Sequence, residues 1–197
     1  MQDKPTRTNA ERTQATRGAL LTAARALFVQ RGYADTSTPE IVAAAEVTRG
    51  ALYHHFADKR ALFLAVAQAS AFEVAEAVAH ASDGAPDAVQ ALNRGAQAYL
   101  QAMAEAGRAR VLLVEAPAVL SAPELLALSD QAGAQALAQG LGELFGERGV
   151  AVPADELHAL AQLLSAAFDR MALALARGEA VEPYAAAMQR LLAGLAG

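Results

Sequence analysis

An all-α fold is predicted by three features of the sequence. Alanine supplies much of a 54% hydrophobic content, whereas aromatic residues reach only 5% and β-branched residues are scarce; such a composition favours helix strongly over strand. Apolar side chains recur at helical spacing along most of the 197 residues. Prolines 86, 117, 123, 153 and 183 fall at or near the ends of those periodic stretches, where a missing N–H does least damage. A chain of this length buries roughly 70% of its unfolded surface, enough for one sizeable core or two small ones.

The elements follow in order, about nine helices in all. From about Glu11 to Arg31, Leu20, Ala24, Leu27 and Phe28 share one helical face, and Gly32 offers the stop. Ser37 stands three residues before Glu40, the spacing of a capping box, with Pro39 in the first turn; a short helix therefore starts near Thr38. Glu46, Val47 and Thr48 form a tight connection, and Thr48 caps a third helix from Arg49 to about His55. A longer helix opens at Asp58 to Arg60 and carries Leu62, Phe63, Val66, Phe72 and Val78 towards His80. The cluster ASDGAPD, residues 81–87, is the clearest break. Beyond it, helices are predicted over about Pro86–Ala106, Arg108–Glu115, Pro123–Phe145, Pro153–Arg177 and Glu182–Leu195.

Composition also limits function. The absence of cysteine removes disulfides, thiolate nucleophiles and cysteine-ligated metal, and suits a reducing cytoplasm. The polar start MQDKPTRTNAERTQ carries no signal-peptide core, and no later run of eighteen uncharged apolar residues reads as a membrane span; a soluble, cytoplasmic protein is expected. There is no HExxH, no glycine-rich phosphate loop and no carboxylate pair that spacing alone brings together, so no enzyme, cofactor or metal site is expected. The net charge of -5 hides an asymmetry: residues 1–60 carry nine basic side chains against six acidic, and residues 61–197 seven against fifteen. A basic end on an acidic body fits a polyanion-binding module attached to a body with another task.

The stretch TRGALYHHFADKR, Thr48–Arg60, concentrates polar side chains in an otherwise apolar chain. Two short helices joined by a tight turn, the second capped and polar, match a helix-turn-helix unit, whose second helix enters the DNA major groove. Ile41, Val42, Ala45, Val47 and Leu52 would pin this pair inward. Thr48, Arg49, Gly50, Ala51, Tyr53, His54 and His55 would then project outward. Arginine bonds guanine edges, alanine touches a thymine methyl, and glycine permits close backbone approach. Tyrosine, histidine and Lys59 suit phosphate oxygens. Tyr53 and Phe56 also fit a core role, the better reading for Phe56. His54 and His55 point about 100° apart on a helix and cannot chelate one metal from one face.

The runs ALLTAARALFVQRGYADTS and PEIVAAAEVTRGALYHHFADKRALF, within residues 12–66, resemble the DNA-binding domain of the TetR (tetracycline repressor-like) family. The resemblance implies an N-terminal three-helix DNA-binding domain, residues 1–58 with its arm, and a C-terminal helical effector-binding and dimerisation domain, residues 59–197. It places Tyr53, His55 and Lys59 at phosphate-contacting positions, and Arg49, Gly50, Ala51 and His54 where base-reading residues vary. Thr38 matches a further DNA-facing position. Two residues depart from the pattern: Val42 replaces the commoner alanine, and Glu46 the commonest glycine of the turn. A non-glycine residue in a left-handed turn costs roughly 1 kcal/mol.

The body is expected to provide the dimer and the effector site. In the helix over 153–177, Leu157, Ala161, Leu164, Phe168, Met171 and Leu175 form one stripe, and Leu160, Leu163, Ala167 and Ala174 a second. Two apolar faces need two partners; a single deeply buried core helix is the alternative. Tyr184, Met188, Leu191 and Leu195 continue the period in the last helix. The family resemblance implies a four-helix bundle made by these two helices from each of two protomers. Adjacent major grooves lie about 34–36 Å apart, so the spacing of two heads decides whether both bind a palindromic operator. Phe72, Tyr99, Met103 and Phe168 are candidate pocket-lining residues, with Glu115 and His158 as polar anchors, although each also fits ordinary packing. The expected function is a homodimeric, effector-released repressor of an operator in double-stranded DNA. The alternative is a helical interaction module or small-molecule-binding protein that does not bind DNA.

Overall fold

The first helices begin where a side chain meets an unpaired backbone N–H. The computed structural model describes residues 8–105, 107–180 and 182–196, apart from the side chains at 189, 192, 193, 195 and 196, and among these residues there is no β-strand. Helix α1, Asn9–Arg31, is capped by Thr8, whose hydroxyl accepts from the Glu11 N–H while Glu11 reaches back to the Thr8 N–H at 2.7 Å. This capping box lies before the predicted start at Glu11. Gly32, at φ 88°, ends the helix. Helix α2, Thr38–Ala44, has the predicted Ser37–Glu40 box, tightened by the Arg31–Glu40 ion pair at 2.5 Å. Helix α3, Arg49–His55, is capped by Thr48, which accepts from the Ala51 N–H at 3.1 Å. Helix α4 covers Lys59–Ser82.

The chain forms two compact units, the first ending at Ala67 and the second beginning at Gln68, a division inside α4. The first unit closes on Leu20, Phe28, Ile41, Leu52, Leu62 and Phe63, all fully buried. Phe28, Tyr33 and Phe63 form an aromatic cluster with ring centroids 5.2–5.8 Å apart, geometry worth about 0.5–1.5 kcal/mol per pair beyond burial. Phe56 takes the core role, 5% exposed.

In the second unit, α5, Ala88–Ala104, starts at Asp87, whose carboxylate accepts from the Gln90 N–H at 2.7 Å. A π-helical stretch, Arg110–Glu115, runs into α6, Ala116–Val119. The predicted helix over Pro123–Phe145 is divided into α7, Ala122–Ser129, a kinked π-type turn at Asp130–Ala134, and α8, Gln135–Glu147. The break sits at Gly133, whose φ of 152° no helix allows. Helices α9, Ala154–Ala176, and α10, Glu182–Ala196, complete the chain. Helices α5, α8 and α9 pack on one another, burying Met103, Leu141, Leu144, Ala161 and Met171. Arg108 ties the body together, donating to Glu73 of α4 at 2.9 Å and to the Ala102 carbonyl of α5 at 2.8 Å.

Helices α4 and α9 are each long and apolar enough, by length and composition, to cross a membrane, although neither holds a run of eighteen uncharged residues. In the fold their apolar residues supply core, with Leu62, Phe63 and Val66 of α4 and Ala161, Leu164 and Phe168 of α9 buried.

Candidate nucleic-acid interface and body cavity

The joint between α2 and α3 fixes what α3 presents. Glu46, at φ 54°, is the one non-glycine residue with positive φ among those described. Its N–H reaches the Ala43 carbonyl at 3.2 Å, and the Val47 N–H reaches that of Val42 at 3.1 Å. With Ile41 and Leu52 buried, Thr48, Arg49, Gly50, Tyr53 and His54 are exposed, and Ala51 and His55 half-buried. The Thr48 hydroxyl is engaged as a cap.

Tyr53 gathers the polar cluster. Thr38 and Arg49 hydrogen-bond to its phenol and hold it below its ordinary pKa, Thr38 being the larger cause. The Arg49 guanidinium also stacks 5.5 Å from the Tyr53 ring centroid. Thr38, Arg49 and Tyr53 therefore act as one patch across two helices. Burial lowers the His55 pKa, helped by the positive charges of His54 and Arg17, so His55 is a neutral N–H donor at physiological pH. Gly50 has open space where a Cβ would stand, the nearest atom being Thr48 Oγ1 at 3.9 Å. No described residue requires glycine there.

Lys59 makes contacts within the chain that its spacing in the sequence does not show. Its Nζ donates to the carbonyls of Tyr33 and Thr36, both at 2.9 Å, and lies 4.1 Å from the Tyr33 ring centroid. The ammonium is thus committed to the loop before α2. It holds the loop that leads into the helix pair.

The second unit contains a cavity of about 590 Å³, walled by the end of α4 and by α5, α8 and α9. Tyr99 and Phe168, both predicted, line it with ring centroids 6.1 Å apart. A smaller cavity of about 390 Å³ is lined by Met103 and again by Tyr99. Tyr99 donates its hydroxyl to Asp169. Burial pushes Asp169 above the ordinary carboxylate range, partly offset by this bond, and keeps the Tyr99 phenol protonated. Three predicted pocket residues line neither cavity. Phe72 is 54% exposed, Glu115 pairs with Arg110 at 3.3 Å, and His158 is exposed beside Gln162 on α9. The residues that sequence reasoning missed, Leu92, Leu137, Asp83 and Glu143, come together only through the mutual packing of the helices.

Of the predicted dimer residues, Leu163 and Leu191 are 70% and 55% exposed, and Leu160 and Ala167 half-buried. Met188 is buried within the chain itself, at 6% exposure, and so belongs to the protomer core. Tyr184 is held by Arg170 at 2.7 Å, in a network with Glu179. The Leu195 side chain lies outside the described residues.

A capped, outward-facing second helix after a tight turn, joined to a cavity-bearing helical body, defines a helix-turn-helix protein of two-unit, all-α type. Residues 20–66 match the family described as bacterial regulatory proteins, tetR family, and residues 89–195 the tetracyclin repressor-like C-terminal domain. The chain belongs to the TetR family of bacterial transcriptional regulators. It is 34% identical to the crystal structure of a TetR-family transcriptional regulator from Pectobacterium atrosepticum, over 96% of this chain and 97% of that one, with a TM-score of 0.73. It is also 38% identical over 76 residues to the HTH-type transcriptional repressor AcnR of Corynebacterium glutamicum, covering 39% of this chain and 36% of AcnR. With the HTH-type transcriptional regulator AcrR of Shigella flexneri the identity is 44% over 66 residues, 34% of this chain and 31% of AcrR. The chain thus spans about a third of the length of these curated relatives.

Proposed function

We propose that the protein is a homodimeric repressor that binds an operator in double-stranded DNA and is released by a small-molecule effector. The observation that carries this reading is the outward patch of Thr38, Arg49 and Tyr53 beside the unfilled space at Gly50. An arginine and a bare backbone at the start of a capped helix suit direct contact with base edges. The His55 N–H and the Tyr53 hydroxyl suit phosphate, and the basic excess of residues 1–60 supplies the long-range attraction.

The exposed Leu163 and Leu191 support a dimer formed through α9 and α10, with residues 59–197 serving as the effector and dimerisation body. The large cavity is the effector site, its lining drawn from the last turns of α4 together with α5, α8 and α9. An effector that fits one arrangement of the dimer better than another releases DNA by linkage, with a coupling of about 1–3 kcal/mol. No covalent step is involved, and the site of action is the cytoplasm.

Selection of bound fragments from random duplex DNA tests the reading. A two-fold symmetric site with half-sites about one helical turn apart is expected, with affinity falling linearly in log salt. Failure to prefer any duplex, with or without small-molecule extracts, would overturn it.

A further inference from the structure

The larger cavity falls within the ~300–1,000 Å³ range of small-molecule sites, and its lining has a definite chemistry. Its inner wall is apolar and aromatic, formed by Leu92, Tyr99, Leu137 and Phe168. Its fixed charges have one sign. Asp83 and Glu143 line it, and among the described residues no lysine or arginine does. Both carboxylates are exposed at the rim. His80 also lines the cavity. The surrounding body has the same bias, with fifteen acidic side chains against seven basic over residues 61–197. At the inner end Tyr99 already spends its hydroxyl on a further carboxylate, Asp169. It cannot donate to a ligand carboxylate without giving up that bond.

We propose that the effector is a lipophilic organic cation, an amine or quaternary ammonium on an alkyl or aromatic body. The body lies against Leu92, Leu137 and Phe168, and the positive group faces Asp83 and Glu143. This rests on the reading of the cavity as the effector site. An exposed ion pair strengthens binding by up to about fivefold, so two carboxylates favour a cation over a neutral analogue by about tenfold or somewhat more. A carboxylate of the same shape meets repulsion instead, and the discrimination widens.

The test uses the full chain and three ten-carbon probes below their micellar concentrations: decyltrimethylammonium, decanol and decanoate, titrated calorimetrically. The cation is expected to bind about tenfold more tightly than decanol and more tightly still than decanoate. Asp83→Asn with Glu143→Gln should remove that preference while leaving decanol affinity unchanged. Ala136→Trp, at an exposed position on the cavity wall, should block all binding, with far-UV circular dichroism confirming intact helix. If decanoate or decanol binds as well as the cation and Ala136→Trp blocks it, the cation proposal is overturned while the cavity stands as the effector site. If no probe binds, or Ala136→Trp changes nothing, both fall. A preference for the cation that survives neutralising both carboxylates overturns the proposal as well.

Discussion

Replacing Lys59 by methionine keeps the aliphatic stem and removes the ammonium that holds the loop before α2. Two hydrogen bonds of 2.9 Å to main-chain carbonyls are lost, together with the contact to the Tyr33 ring. Bonds to a charged group contribute about 1.5–3 kcal/mol each and leave a desolvated partner when removed, and the ring adds about 0.5–1 kcal/mol at a partly exposed site. Because both bonds share one half-buried donor, they do not add in full, and a loss of about 3 kcal/mol is expected. That is a large part of the ~5–15 kcal/mol that holds a domain. It corresponds to a fall in Tm of about 10–20 °C for a unit of this size. Thermal and urea unfolding, with hydrogen exchange across residues 28–56, measure the loss. Operator affinity against salt, measured below the shifted transition, should keep its wild-type slope. Unchanged stability with a slope reduced by about 1 would show the ammonium on a phosphate and refute the positioning role.

Gly50→Ala should stabilise α3 by about 0.5–1 kcal/mol, since alanine is the better helix former and the space is open, yet weaken operator binding; melting and gel-shift titration read the two effects. Arg49→Ala should cost about 1–3 kcal/mol and alter which sequences are selected from random DNA. Leu163→Glu with Leu191→Glu, both at exposed positions, should give folded monomers by sedimentation that bind the operator poorly. Asp169→Asn keeps an acceptor for Tyr99 and removes a titration. With its folded-state pKa raised, the native protein binds the extra proton, so wild-type stability should fall as pH rises from the ordinary aspartate pKa through the raised one. The variant should flatten that decline in urea midpoints measured across the window.

Local chemistry was legible in the sequence wherever a signal and its consequence lie within a few residues. The Ser37–Glu40 box, the Thr48 cap, the stop at Gly32 and the left-handed Glu46 all belong to this kind, and the T-x-x-E spacing of the Thr8–Glu11 box is equally local. The destination of Lys59 was not legible, because its acceptors lie 23 and 26 residues earlier and only folding brings them near. The cavity was half legible for the same reason. Tyr99 and Phe168 stood out as candidate pocket residues, but which inward face borders a void depends on how α5, α8 and α9 meet. Phe72 shows the converse, an aromatic on a helical stripe that the packing leaves outside.

The turn at Glu46 has one further implication. Surface connections ordinarily accept extra or missing residues at little expense, but here the N–H groups of Ala45, Glu46 and Val47 are all spoken for by carbonyls of Ile41, Ala43 and Val42. One residue more or less would strand one of them. It would also change how α3 leaves the turn, carrying Arg49 and Tyr53 away from the side they share with Thr38. This outward bend should therefore tolerate exchange of its side chains far better than any change in its length.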